Sequence, residues 1–232
     1  PKEQQDVYGV YTNTVIDLIE KKIVNDEFSS RKIEILSYIT KLRQIVLDPS
    51  VVLDNYHGGS GKIDALIDIL NVAVEENHKI LVFSQFTSVL KNLGEKLSKK
   101  GISYYYLDGS TKAMDRTNLV NDFNNNDEVK VFLISLKAGG TGLNLTSANT
   151  VVHLDPWWNS SVENQASDRA HRIGQKQVVE VIKLIAKGTI EEKIIELQER
   201  KKDLIDNMIN ENLSNANMLS SISEEEIIYL LQ

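Results

Sequence analysis

Apolar residues recur at helical spacing over residues 7–24 and again over 31–47, and the Asp48, Pro49 pair is expected to stop the second run. The segment NYHGGSGK reads as a flexible connector. From Lys62 the pattern changes. Helices are predicted at about 62–77, up to about Lys100, from about Ala113 to Phe123 and from about Ser160; between them stand the short apolar runs KILVFS, SYYYLD, KVFLIS, NTVVHLD and VVEVIKLI. Short apolar strands alternating with helices imply a parallel sheet covered on both faces. Thr189 and Glu192 have capping-box spacing, and Ile190, Ile194, Leu197, Leu204 and Met208 continue a helical stripe to about residue 209. Ser223 with Glu226 offers a second capping box before the short run IIYLL.

With 41% hydrophobic and 25% charged residues, the 232-residue chain has ordinary globular composition and can bury a real core. It contains no cysteine, which excludes disulfides and cysteine-ligated metal sites and makes a reducing, intracellular compartment the expectation. No apolar run approaches the roughly 18 residues needed to span a bilayer, so no membrane association is expected. The start at Pro1, without methionine or signal-peptide pattern, suggests a piece of a longer protein. The formal charge of −7 argues less against a nucleic-acid partner than it first suggests. Six acids and no bases follow Lys202, which leaves 27 acids against 26 bases, a net of −1, in residues 1–202.

Among the motifs, HGGSGK has the wrong spacing for a phosphate loop, Ile63 stands where Ser or Thr should hold magnesium, and no strand runs into it. It is read as a linker. KAGGTGLNL follows a strand but enters the next strand instead of opening a helix; a tight turn and a loop built for close approach of a ligand are equally good readings. In SSVENQASDRAHR a continuous helix would put Gln165, Asp168, Arg169 and Arg172 on one polar face. A solvated charged face explains such a stripe, but two arginines also present fixed donors suited to phosphate oxygens, and a polyphosphate is the favoured reading. DPWWN places Trp157 and Trp158 past a strand end, where one of the two is expected to pack. His153 and His171 have no metal-ligand spacing, and no Ser/His/Asp set emerges.

Taken in order, KILVFSQFT, YYYLDGSTKAMDR, VFLISLKAGGTGLNLTSANTVVHLDPWWN and ENQASDRAHRIGQ resemble the consecutive motifs of the second RecA-like lobe of the Swi/Snf family of ATP-dependent DNA translocases, in helicase superfamily two. LRQIVLDP resembles the segment leading into that lobe, and GTIEEKIIELQERKKDLID its C-terminal brace helix. The resemblance implies an α/β fold with a RecA-like parallel sheet flanked by helices, the second lobe of a P-loop NTPase type. It implies a helical segment and linker over 1–60, the lobe over 61–188, and the brace helices and tail over 189–232.

It also implies roles. Arg169 and Arg172 match arginine fingers; Gln165, Gly142 and Asn144 match positions lining the nucleotide side of the interlobe cleft. Ser84, Gln85, Gly109, Ser110, Ser135, Lys137 and Trp158 match positions near the tracked DNA strand, and Arg116 matches a family position for which a structural ion pair is an equal reading. Ser160 stands where the family often has proline, which puts the local turn in question. No GxxxxGK[ST] and no DEAH-like box occurs in the sequence. ATP and Mg2+ are therefore expected to be held mainly by a first lobe outside it, and the isolated lobe is expected to be inactive. Expected partners are double-stranded DNA, that first lobe and a DNA-bound protein target. The expected location is the cytoplasm at the nucleoid for a prokaryotic source, the favoured case, and the nucleus for a eukaryotic one. A superfamily-two RNA motor lobe and a catalytically idle interaction module are the alternatives.

Overall fold

The computed structural model describes residues 1–23, 28–139, 142–170, 178–206 and 222–231. The chain divides into a helical unit (Pro1–Gly61, Trp158–Ser160, Ala186–Gln232) and a sheet unit (Lys62–Trp157, Ser161–Ile185).

In the sheet unit, strands β1 (Ile80–Ser84), β2 (Tyr104–Leu107), β3 (Val131–Ser135), β4 (Thr150–His153) and β5 (Glu180–Lys183) form one sheet in the order β2-β3-β1-β4-β5. Every pair is parallel, with Val82 beside Leu133 and Val152. The central strands are buried at every position, which is why ILVFS, VFLIS and TVVH read as unbroken apolar runs. Successive side chains alternate between faces. Leu81, Phe83, Phe132, Ile134 and Val151 pack in one cluster with Phe123, Ala138 and Ala166, whereas Ile80, Val82, Leu133 and Val152 point to the other side and are equally buried. Phe123 and Phe132 meet with ring centroids 5.2 Å apart, and truncating either would cost about 3–5 kcal/mol. β5 differs because it lies at an edge. The expected run VVEVIKLI yields only four paired residues, three of them exposed.

Helices α3 (Gly61–Glu75), α4 (Thr87–Lys99), α5 (Ala113–Asn125) and α7 (Ser160–Ser167) alternate with the strands as the pattern predicts. One difference lies after β3. The expected glycine-rich loop begins as a single helical turn, α6 (Leu136–Gly139), because Ser135 Oγ accepts from the Ala138 amide at 3.3 Å and caps it. Gly139 is required there: a Cβ would stand 2.7 Å from the Phe83 ring.

The helical unit joins α1 (Lys2–Ile23), α2 (Phe28–Leu47), α8 (Ile190–Asp206) and α9 (Glu224–Leu231). Val15 and Ile19 of α1, Ile35, Ile39 and Leu42 of α2, and Ile190, Ile194 and Leu197 of α8 share one core with Ile227 and Leu230. The stripe over α8 is thus buried at its first three positions; Met208 lies outside the described residues. Gln4 Nε2 donates to the carbonyls of Ile45 and Val46, satisfying the end of α2 that the Asp48, Pro49 pair terminates. The Ser223/Glu226 box forms reciprocally, at 3.1 and 3.0 Å. At α8 the box is shifted: Thr189 Oγ1 accepts from the Glu191 amide, and Glu192 accepts from Gly188 N instead of Thr189 N.

Candidate functional site at the two ends of the sheet

All five strands run the same way, so their carboxyl ends open at one edge, where loops of such sheets carry function. Ser84 ends β1, and its register partner Ser135 ends β3. Both hydroxyls turn inward. Ser84 Oγ donates to Asp155 Oδ1 at 2.5 Å, Gln85 Nε2 donates to Asp155 Oδ2 at 2.5 Å, and Ser135 caps α6. One buried carboxylate past β4 therefore fixes the chain leaving β1. Past β2, Ser110 donates through both N and Oγ to Asp108 Oδ1, at 2.8 and 2.6 Å, and Tyr106 Oη donates to Oδ2. The Ser110 bond first, with Tyr106 adding to it, holds the Asp108 carboxyl below its ordinary range although burial opposes the shift. Arg116 braces the same loop from beneath, donating to the carbonyls of Thr111 at 2.8 Å and Gly109 at 3.2 Å. Gly109, Ser110 and Lys137 remain exposed on this edge.

A second group gathers towards the amino ends of the strands. Lys79, which immediately precedes β1, donates through Nζ to the Phe123 carbonyl; the next residue, Asn124, donates to the Asn144 carbonyl at 2.8 Å and accepts from Ser147 N. The Leu145 amide then donates to the Arg169 carbonyl at 3.0 Å. These bonds bring residues 144–147 and the turn after α7 together. Gly142, with φ of 64°, needs glycine, and Asn144 and Gln165 are exposed.

The expected single polar face is corrected by the end of α7. The helix stops at Ser167, and Asp168, Arg169 and Ala170 form a turn, with Arg169 N donating to the Ala166 carbonyl. Asp168 is exposed like Gln165, but Arg169 is buried at 8% exposure and does not join them on one exposed face; Arg172 and His171 lie outside the described residues. Trp158 packs, as expected for one of the two tryptophans. It is 7% exposed within the core of the helical unit, with the Arg43 guanidinium 5.0 Å from its ring centroid. Ser84 and Ser135 are buried too, with the Ser84 hydroxyl bonded to Asp155 and the Ser135 hydroxyl to the Ala138 amide.

The helicase conserved C-terminal domain family matches residues 61–174. The SWI2/SNF2 ATPase C-terminal domain of Sulfolobus solfataricus superposes with a TM-score of 0.75 at 32% identity, covering 99% of this chain and 93% of that one. The chain belongs to the SWI2/SNF2 family, as its second, RecA-like lobe. The SWI2/SNF2 ATPase core of the same organism, solved in complex with dsDNA, matches with a TM-score of 0.76 at 32% identity over 98% of this chain and 47% of that one. An ATP-dependent helicase of Mycoplasma pneumoniae is 39% identical over 218 residues, 93% of this chain. The chain spans about a fifth of the length of that relative.

For a SWI2/SNF2 lobe, the residues that sequence reasoning missed are acids. Asp108, Asp155 and Glu163 are all buried and all hold loops or helix ends that carry candidate residues. An acid in a sequence looks like surface charge; only the sheet topology shows that Asp155 meets Ser84. Among the described residues no group of three or more His, Cys, Asp or Glu is arranged to hold a metal ion.

Proposed function

We propose that this lobe is the second motor lobe of a double-stranded-DNA translocase, working on ATP from the amino end of its sheet and on DNA from the carboxyl end. The observation that carries the reading is the Leu145–Arg169 hydrogen bond, which joins the loop before β4 to the turn after α7, away from the strand ends that bear Gly109, Ser110 and Lys137. On the amino side, Gly142 has open space where a Cβ would stand, and Asn144 and Gln165 are exposed, which fits close approach of a nucleotide. Arg169 and Arg172 act there as fingers on the phosphoryl group in flight, a role worth about 10³ to 10⁵ in rate, or roughly 4 to 7 kcal/mol. ATP and Mg2+ are held mainly by the first lobe, which supplies the phosphate loop and the metal ligands. Hydrolysis supplies the free energy that opens and closes the lobes.

On the other edge, Lys137 and the exposed loop at Gly109 and Ser110 meet DNA phosphates, with Gln85 beside them; Ser84 and Ser135 hold the chain leaving β1 and β3 in shape. Such contacts ignore sequence and need few bases, which suits a body of nearly zero net charge. The target displaced by translocation is a DNA-bound protein. The site of action follows the source, at the nucleoid in a prokaryote and in the nucleus of a eukaryote. Turnover by the complete protein, stimulated by duplex DNA and absent from residues 1–232 alone, is the expected result. Stimulation by RNA in preference to duplex DNA, or turnover by the isolated chain, would overturn the reading.

A further inference from the structure

Helix α3 and the edge strand β5 border an open groove of about 360 Å3 within the sheet unit. Val152 on β4 is fully buried, whereas its register partner on β5, Ile182, is only partly covered. Ile69, Val72 and Ala73 of α3 line the same groove, and Val72 is 55% exposed. The rim is acidic: Asp68, Glu76 and Glu180 line it and are exposed, and among the described residues no Lys or Arg joins them. The bases that stand near in sequence are engaged elsewhere. Lys183 Nζ lies 2.5 Å from the buried Glu163 carboxylate, and Lys79 Nζ donates to the Phe123 carbonyl and pairs with Asp127 at 3.0 Å. Such a rim repels phosphate and attracts a cationic partner.

The strand beside the groove is open on one side. The Glu180 amide donates to the Asn149 carbonyl and the Leu184 amide to the His153 carbonyl. Main-chain groups alternate in direction along a strand, so those of Val181 and Lys183 point away from β4. Edges of this kind are commonly guarded by an outward lysine. Here Lys183 is drawn back to Glu163, and Val181 is 43% exposed.

We propose that β5 and its groove are a docking surface for an extended, basic segment of a partner protein. The segment adds as a strand to β5, seats an apolar side chain against Ile69, Val72 and Ile182, and directs a lysine or arginine two residues to either side toward Asp68, Glu76 and Glu180. That spacing follows from the strand itself, which puts every second side chain on the groove side, about 7 Å apart. Its recognition chemistry is independent of where ATP and DNA bind.

The test uses the complete protein and a fluorescein-labelled peptide, Gly-Ser-Lys-Thr-Ile-Thr-Lys-Ser-Gly, followed by fluorescence anisotropy. Saturable binding that weakens with salt is expected, and replacing the peptide's isoleucine by serine should abolish it. Glu76→Lys combined with Glu180→Lys should weaken binding by about tenfold or more with the thermal midpoint unchanged. Val181→Pro, which removes an outward amide and no bond to β4, should do the same. If Val181→Pro fails to fold, the charge reversals, made on exposed side chains, decide alone. No saturable binding, equal binding of a scrambled peptide of the same composition, or binding that survives the charge reversals would overturn the proposal. Self-association of the complete protein that the charge reversals abolish would also overturn it, because the surface would then belong to a second copy of the chain.

Discussion

The amide of Leu145 donates to the carbonyl of Arg169 at 3.0 Å, and both partners are backbone atoms. Side-chain substitution at either residue therefore leaves the bond in place, which makes it a fixed hinge between two motifs. A buried backbone pair of this kind is also expensive to leave unmade. The consequence is that Leu145 and the turn at Arg169 are held together, and changes of side chain there test chemistry more than folding.

Trp158→Ala should act on stability before it acts on DNA. The ring is buried in one core with Val15, Ile39 and Ile194 and lies under the Arg43 guanidinium, so its removal should cost about 3–5 kcal/mol in chemical denaturation. Trp158→Phe should recover most of that loss. Unchanged stability with weakened DNA binding would return the ring to the DNA side.

Asp155→Ala strips the acceptor from the buried Ser84 hydroxyl and from the Gln85 amide. An unpaired buried hydroxyl is expected to cost about 1–3 kcal/mol. Adding Ser84→Ala should therefore restore part of the stability lost in Asp155→Ala. If the two losses simply add in denaturant melts, Asp155 does not act through Ser84.

His153 gives a pH signature. Burial is the main cause that lowers its pKa below the ordinary value near 6.5, with Glu163 opposing the shift. The unfolded chain therefore takes up this proton at higher pH than the folded one. The stability held by neutral His153 is complete above about pH 6.5 and is lost progressively as the pH falls below that value towards the folded pKa. Denaturant midpoints between pH 7.5 and 5.5 should show a decline that His153→Gln reduces; an identical decline in the variant would exclude His153 as its source.

Much of this fold is legible before any coordinates. β1, β3 and β4 are continuous apolar runs because both of their faces are covered, and Ser223 and Glu226 announce α9 because each satisfies the other's amide. The site is legible only as an order of motifs. Helical periodicity runs on through Arg172, yet α7 ends at Ser167, since the backbone there bonds to Leu145 instead of extending the helix. Hydroxyls at strand ends are ambiguous in the same way. Ser84 and Ser135 could serve a ligand or their own loops, and only the folded chain shows the loop partners, Asp155 for Ser84 and the Ala138 amide for Ser135.

The division of labour between the two ends of the sheet is tested most directly by steady-state ATPase with and without duplex DNA, beside DNA binding across salt concentrations, for Arg172→Ala and Lys137→Ala in the complete protein. Arg172→Ala should lower turnover by about a hundredfold or more with DNA affinity nearly intact. Lys137→Ala should weaken binding to all DNA sequences alike, reduce the salt dependence by about one phosphate contact, and spare turnover without DNA. Loss of DNA binding with intact turnover in Arg172→Ala, or the reverse in Lys137→Ala, would contradict the account.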